Sequence, residues 1–261
     1  MRETYNDIVR HLWGHAIIIF TCLLFPGITS IIVTGCGSGD SDSASDSDSE
    51  ECTLDPTYRP SIDPDNFVAG INNPLLPFVP GTQYVYKGGD ETIEVTVTND
   101  TKKILGVTAT VVHDVVSVGG EIIEDTFDWY AQDTSGSVWY FGEDTKEYEN
   151  GVVVSTAGSW EAGVDGAKPG IVMHGNQPSI GSPYRQEYYA CEAEDMAEVV
   201  SLSESVTVPY GSFDNCLQTR EFTQLEPDVN EYKYYCSGIG LVLEVDVNTG
   251  ARVELVEINT P

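Results

Sequence analysis

Thr92-Ile93-Glu94-Val95-Thr96-Val97-Thr98 alternates polar and apolar side chains without a break. A period of two describes a strand with one buried and one wet face. The pattern recurs along the chain. Ile123, Asp125, Phe127, Trp129 and Ala131 share a face, with Asp125 the exception in an apolar stripe. Val200, Leu202, Val206 and Val208 alternate with serine and threonine, and Glu204 falls on their face. Leu241, Leu243, Val245 and Val247 alternate with Val242, Glu244 and Asp246. Gly119-Gly120 and Asn150-Gly151 are two-residue hairpin signals, and Gly88-Gly89, Ser135-Gly136 and Thr249-Gly250 mark further turns. No run of helical period reaches the length of a packed helix. The pattern predicts an all-β domain, an antiparallel meander of about ten strands. So many strands must curl or close to escape exposed edges, giving a curved half-barrel or a barrel-like sandwich. The glycine-rich stretch Gly158 to Ser182 reads as irregular, either a functional loop or a crossover over one end of the sheet.

The N-terminal region reads differently. Ala16 to Val33 carries no charge and is interrupted by Pro26-Gly27. It ends in Val33-Thr34-Gly35-Cys36, which resembles the lipobox of bacterial lipoproteins. The resemblance implies cleavage after Gly35, acyl chains on Cys36, and attachment to a membrane through that lipid. Gly37 after the cysteine implies the outer membrane by the sorting rule of enteric bacteria. Glu3 and Asp7 offset Arg2 and Arg10, a departure from the basic start of a signal peptide, so an uncleaved anchor is the rival reading. Residues 37–51 hold six carboxylates and no base. They lack the apolar side chains a core needs and read as a solvated tether, since their D-x-D spacing does not fit a calcium loop. The predicted organisation is a signal peptide over 1–35, an acidic tether over 36–66 and one all-β domain over 67–261.

From Cys52 onward there are 34 acidic and 10 basic residues, a net charge of −24. That surface excludes nucleic acid as a partner and admits only diffuse divalent cations. Of Cys52, Cys191, Cys216 and Cys236, the pairs Cys216 with Cys236 and Cys191 with Cys236 are both open in an oxidising compartment, with Cys52 left unpaired as a third possibility. No metal centre and no cofactor is expected. The cysteines are far apart in sequence, and His113 and His174 stand alone.

Two wider resemblances apply. Asp128 to Asp133 (DWYAQD), Val138 to Gly151, Gly158 to Ile171, Tyr184 to Tyr189 (YRQEYY), Glu192 to Val199 and Val208 to Thr219 resemble blocks of a family of uncharacterised exported bacterial proteins. That resemblance spans about Asn73 to Ile258 and implies no known activity. Pro77 to Gly88 followed by a meander is similar to lipoprotein-carrier-like folds, which implies a sheet wrapped around an apolar ligand.

Chemistry has few handles. No phosphate loop, nucleophile elbow, zincin motif or cysteine pair occurs. The aromatics Trp129, Tyr130, Trp139 and Tyr140 suggest a groove for a lipid or glycan, or simply packed cross-strand pairs. Tyr184 and Arg185 are further ligand candidates, because basic residues are scarce. Asp125, Asp128, Glu192, Glu194 and Asp195 form the acidic set from which a carboxylate-dependent hydrolase of extracellular polymer would draw its pair. The favoured expectation is a lipid-anchored envelope protein that binds a lipid, a glycan or a protein partner. The alternatives are that hydrolase and an adhesive protein bridged by divalent ions.

Overall fold

The computed structural model describes residues 55–175 and 179–261. Cys36, the apolar segment before it and the acidic run after it lie outside these residues. The described strands are β1 (Gln83–Gly88), β2 (Glu91–Ile104), β3 (Val107–Val118), β4 (Glu121–Gln132), β5 (Val138–Glu149), β6 (Val152–Ser155), β7 (Trp160–Glu161), β8 (Lys168–Met173), β9 (Tyr184–Arg185), β10 (Glu187–Tyr188), β11 (Asp195–Val208), β12 (Gly211–Thr223), β13 (Asn230–Cys236), β14 (Gly240–Asp246) and β15 (Arg252–Asn259). All join one antiparallel sheet of order β10-β8-β5-β4-β3-β2-β1-β15-β14-β13-β12-β11-β9, with β6 and β7 branching from β5. The all-β, barrel-shaped meander is as the alternation predicts. Hairpins connect most neighbours, through tight turns such as Asn150-Gly151, where φ is 52° and 74°.

The sheet nearly closes into a barrel. Its two ends are β9 and β10, separated only by Gln186. β9 pairs with β11 and β10 pairs with β8. The single segment Tyr184 to Tyr188 therefore bridges the two edges, and the Gln186 N–H donates to the Asp195 carbonyl across the gap. Residues that oppose one another across antiparallel strands share a face, so the interior can be followed around the circle. Val95, Asp114 and Thr126 are consecutive cross-strand neighbours, as are Val97, Val112 and Asp128.

Three expectations are corrected. On β4 the apolar stripe Ile123, Phe127 and Trp129 lies outside, and Glu124, Thr126, Asp128 and Tyr130 point inward, because they oppose Val116, Asp114, Val112 and Thr110 of the inner face of β3. On β14, Glu244 faces inward beside Lys233, while Leu243 and Val245 face outward beside Tyr234 and Tyr232. On β11, Val200 and Leu202 are exposed while Val206 and Val208 are buried. Register shifts after Val199, Ser201 and Glu204 reverse the phase within the strand, and a one-residue slip turns every following side chain to the other face. The stretch expected to be irregular also contains β7 and β8, and β8 is an integral member of the barrel.

The folded contacts start inside the stretch assigned to the tether. Asp55 to Tyr58 lies across the outside of the barrel, where the Tyr58 hydroxyl donates to the Pro169 carbonyl at 2.7 Å. The chain then makes a 3-10 turn at Pro64–Asn66 and folds Leu76-Pro77-Phe78 over one mouth.

Cys216 and Cys236 form a disulfide between β12 and β13, so the Cys191–Cys236 alternative is excluded. Cys191 is disulfide-bonded as well, and Cys52 lies outside the described residues. A Cys216→Ala/Cys236→Ala variant is expected to lose about 3 kcal/mol, the value for closing a short loop in the unfolded chain, measured by urea unfolding.

Candidate functional site

The barrel interior is the most unusual environment in the molecule. Among the described residues nine acidic side chains are buried, and Lys233 is the one buried basic residue. Lys233 Nζ lies 3.1 Å from Glu221 Oε2, 3.6 Å from Glu244 Oε2 and 3.9 Å from Glu231 Oε2. Strand pairing puts it there. Lys233 opposes Thr219 on one side and Glu244 on the other, and Glu221 opposes Glu231. Thr219 Oγ1 and the Tyr235 hydroxyl both donate to Glu221 Oε1, at 2.9 and 3.1 Å. Burial pulls the Lys233 pKa down, but the attraction of Glu221, Glu244 and Glu231 outweighs it and the ammonium is held more firmly than usual.

A second acidic group sits across the barrel. Asp128 and Glu143 oppose each other on β4 and β5. Tyr140 donates to Asp128 Oδ1 at 2.7 Å. Asp128 Oδ2 and Glu143 Oε2 have no hydrogen-bond partner among the described residues. Burial raises both pKa values, and Glu143 is raised further by its neighbour Asp128. Two facing carboxylates in a dry interior cannot both ionise, so the pair retains a proton at neutral pH. Asp114 and Glu187 are driven upward by burial too, Asp114 then by Asp128 and Glu187 then by Asp195. Trp160 Nε1 donates to Glu187 Oε2 at 3.0 Å.

Between these groups and the mouth lies a small cavity. Tyr84, Tyr86, Tyr130, Tyr235, Gln186, Glu221 and Lys233 contribute to its wall, and Leu76, Pro77 and Phe78 roof it. Its volume is about 30 Å³, room for a water molecule or two. The Tyr130 hydroxyl has no partner among the described residues. The roof is a loop rather than a strand, held through Tyr84, whose hydroxyl donates to the Pro77 carbonyl at 2.9 Å.

The candidates read from sequence separate by face. Tyr130 and Tyr140 point inward and stack at 4.9 Å. Trp129 is outside, under Lys102 Nζ at 3.2 Å from its ring. Trp139 is also outside, donating to Asp133 Oδ2 at 2.8 Å. The four aromatics therefore line no common groove. Tyr184 packs edge-on against His174. Arg185 lies between Asp55 at 3.1 Å and Glu194 at 3.5 Å. Asp125 faces outward, 3.0 Å from His113 Nε2. Asp128 faces inward, three residues away on the same strand. Glu192 is exposed in the turn after β10, Glu194 accepts from the Cys191 N–H at 2.9 Å, and Asp195 opens β11 with its pKa raised by burial to about 7. The acidic set is thus divided between the outside, the seam and the interior. Sequence reasoning missed Glu143, Glu187, Glu221, Glu231, Glu244 and Lys233. The available signal was Glu231-Tyr232-Lys233-Tyr234-Tyr235, a scarce lysine in phase with an acid and a tyrosine on a strand.

No protein-family model matches the chain, and no curated protein matches it. Among solved structures, a crystal structure described as that of a candidate lipoprotein from Parabacteroides distasonis ATCC 8503 covers 71% of this chain and 98% of its own, at 15% identity and a TM-score of 0.39. A likeness at that level carries no functional argument.

Two predictions arise from the buried charges. Lys233→Met leaves three carboxylates without their cation and is expected to cost about 3–5 kcal/mol at pH 8. The cost shrinks at pH 5, because burial favours the protonated forms of Glu231 and Glu244. Urea unfolding at the two pH values checks this. The second concerns the native protein. Burial, and then repulsion from Glu124, lifts Glu91 and Glu147 from 4.5 to about 7. Groups raised in the folded state bind more protons folded than unfolded. Their stabilisation is complete below the unfolded value and is lost as pH rises through the folded one. The melting temperature is expected to be highest near pH 5 and at least ~10 °C lower at pH 8 by calorimetry. Asp55 and Asp133, held low by hydrogen bonds, act in the opposite sense below about pH 4, outside that window.

Proposed function

We propose that the chain is an exported lipoprotein, held to the cell envelope of a bacterium by lipid on Cys36, and that its barrel is a binding module rather than a hydrolase. The observation that carries the binding reading is the loop-roofed cavity at the barrel mouth, where tyrosine rings form an apolar wall and Lys233, Glu221 and Gln186 supply polar contacts. Convergent polar groups in an apolar concavity are the usual form of a small-molecule site. At its present volume the cavity takes a ligand only if Leu76-Pro77-Phe78 moves. The matching ligand is neutral, with an apolar or sugar-like face and hydroxyls for the tyrosines and Gln186. The anionic interior disfavours free fatty acids. The hydrolase reading is weakened because Asp125 and Asp128 point to opposite faces and the Asp128–Glu143 pair is sealed.

A specific observation favours a protein partner as the second reading. Val152, Val153 and Val154 are 64%, 44% and 50% exposed on β6, which among the described residues pairs only with β5. An exposed apolar edge strand accepts a strand from another chain.

Native mass spectrometry of the protein from an exporting bacterial host tests both readings and the anchor. A diacyl or triacyl mass increment on the wild type, absent from Cys36→Ser, is expected. A neutral ligand released on unfolding supports the cavity. Phe78→Ala, which removes the roof, is expected to release it at least tenfold faster. A bare protein that gains a protein partner lost on Val153→Lys moves the function to β6.

A further inference from the structure

The barrel is not equally strong around its circumference. The ladder between β2 and β3 has eleven residue pairs and that between β3 and β4 nine. The seam has two on each side, Met196–Arg185 and Ala197–Tyr184 towards β11, and Glu187–Pro169 and Tyr188–Lys168 towards β8. Gln186, at the centre of the seam, lines the cavity, and Val172 of β8 lines it beside Gln186. The weakest ladder in the circle is therefore also a wall of the chamber.

That weak place is fastened from outside by the first described residues. The Asp55 N–H donates to the Tyr188 hydroxyl at 2.6 Å. Asp55 Oδ2 accepts from Arg185 at 3.1 Å. On the β8 side, the Tyr58 hydroxyl donates to the Pro169 carbonyl, and Lys168 Nζ donates to the Tyr58 carbonyl at 2.8 Å. Arg185 and Lys168 both sit over the Tyr188 ring, at 4.7 and 4.6 Å, and Tyr58 packs against the same ring at 5.9 Å. Arg185 also reaches Glu194, next to the first residue of β11. The strap is thus joined to β8, to the seam itself and, through Arg185, to the β11 side. Its ion pairs are partly wet, with Arg185 16% and Asp55 30% exposed at the side chain. Contacts of that kind are individually weak, so the non-covalent fastening holds by number and can be undone, whereas Cys191, three residues beyond Tyr188, is held by a disulfide.

We propose that the barrel opens at Tyr184–Tyr188, and that the Asp55–Tyr58 strap is the latch that keeps it shut. Release of the strap frees Arg185 and Tyr188, the two short ladders part, and the chamber wall at Gln186 is exposed. The purpose of opening rests on the reading of the chamber as a binding site, whereas the opening itself does not.

Hydrogen exchange of the full chain, read by mass spectrometry, tests the latch. Arg185→Gln removes the ion pairs and the cation over the ring. Peptides within 165–174 and 182–197 are expected to exchange at least tenfold faster than in the wild type, with peptides within 91–118 unchanged. Tyr58→Phe loses a single hydrogen bond and keeps the ring, so it folds if Arg185→Gln does not. It is expected to accelerate the same peptides about threefold. Acceleration spread over the whole barrel, or none at the seam in both variants, overturns the proposal. Xenon uptake into the same variants, a probe far smaller than benzene, followed by NMR, separates the two ideas. Faster seam exchange with no faster uptake leaves the latch standing and removes the chamber as the binding site.

Discussion

One ammonium group sets the terms for the inside of this barrel. Lys233 Nζ is drawn into the interior by its phase on β13, and three glutamates converge on it from β12, β13 and β14. An unpaired charge in that position would be intolerable, and so would three unpaired carboxylates. Each therefore requires the other, and the relative register of three strands is tied to a single contact set. A one-residue slip of β13 would carry Lys233 outside and leave Glu221 and Glu244 facing each other without a cation. Apolar residues at these positions would tolerate such a slip more readily. The polar cluster works as a register lock.

The remaining acids follow from closure. An open sheet can turn a polar face to water. A closed sheet buries every second residue of every strand, whatever its chemistry. Glu91, Asp114, Asp128 and Glu143 are inward by phase, and among the described residues no cation faces them at contact distance. Burial and mutual repulsion keep protons on them instead. The two halves of the interior thus solve the same problem by different chemistry, an ion cluster on β12–β14 and protonated acids on β2–β5. The formal charge of −24, which counts every carboxylate as ionised, therefore overstates the charge the folded domain carries.

The sequence made the strands and most hairpins legible, because each depends on neighbours a few residues away or on a simple period, and it left Cys216–Cys236 as one of two open pairings. What it hid depends on an integer. The shifts between Val199 and Val206 of β11, and the extra residue Val242 on β14, change which face is inside. Nothing in the alternation of Val200 and Leu202 announces them. The inward face of β4 was misread for a related reason. The outer faces of β4 and β5 are apolar because Lys102 covers Trp129 and Phe67 packs against Trp139 and Phe141, which makes the outside resemble a core. The strap was hidden because it falls within residues 36–66, which read as tether, and it docks on residues more than a hundred positions away.

The register between β1 and β15 has a consequence in time. Gln83 pairs with Asn259 and Lys87 with Glu254, so the first strand of the barrel waits for the last. The half from β1 to β5 can zip as successive hairpins, but its β1 edge stays unpaired until the final residues are present. Contacts this distant in sequence form slowly, because the loop they close must be ordered first. A chain handed through a membrane from its N-terminus would therefore remain threadable throughout passage, with one open edge, and would lock only after its last strand had emerged.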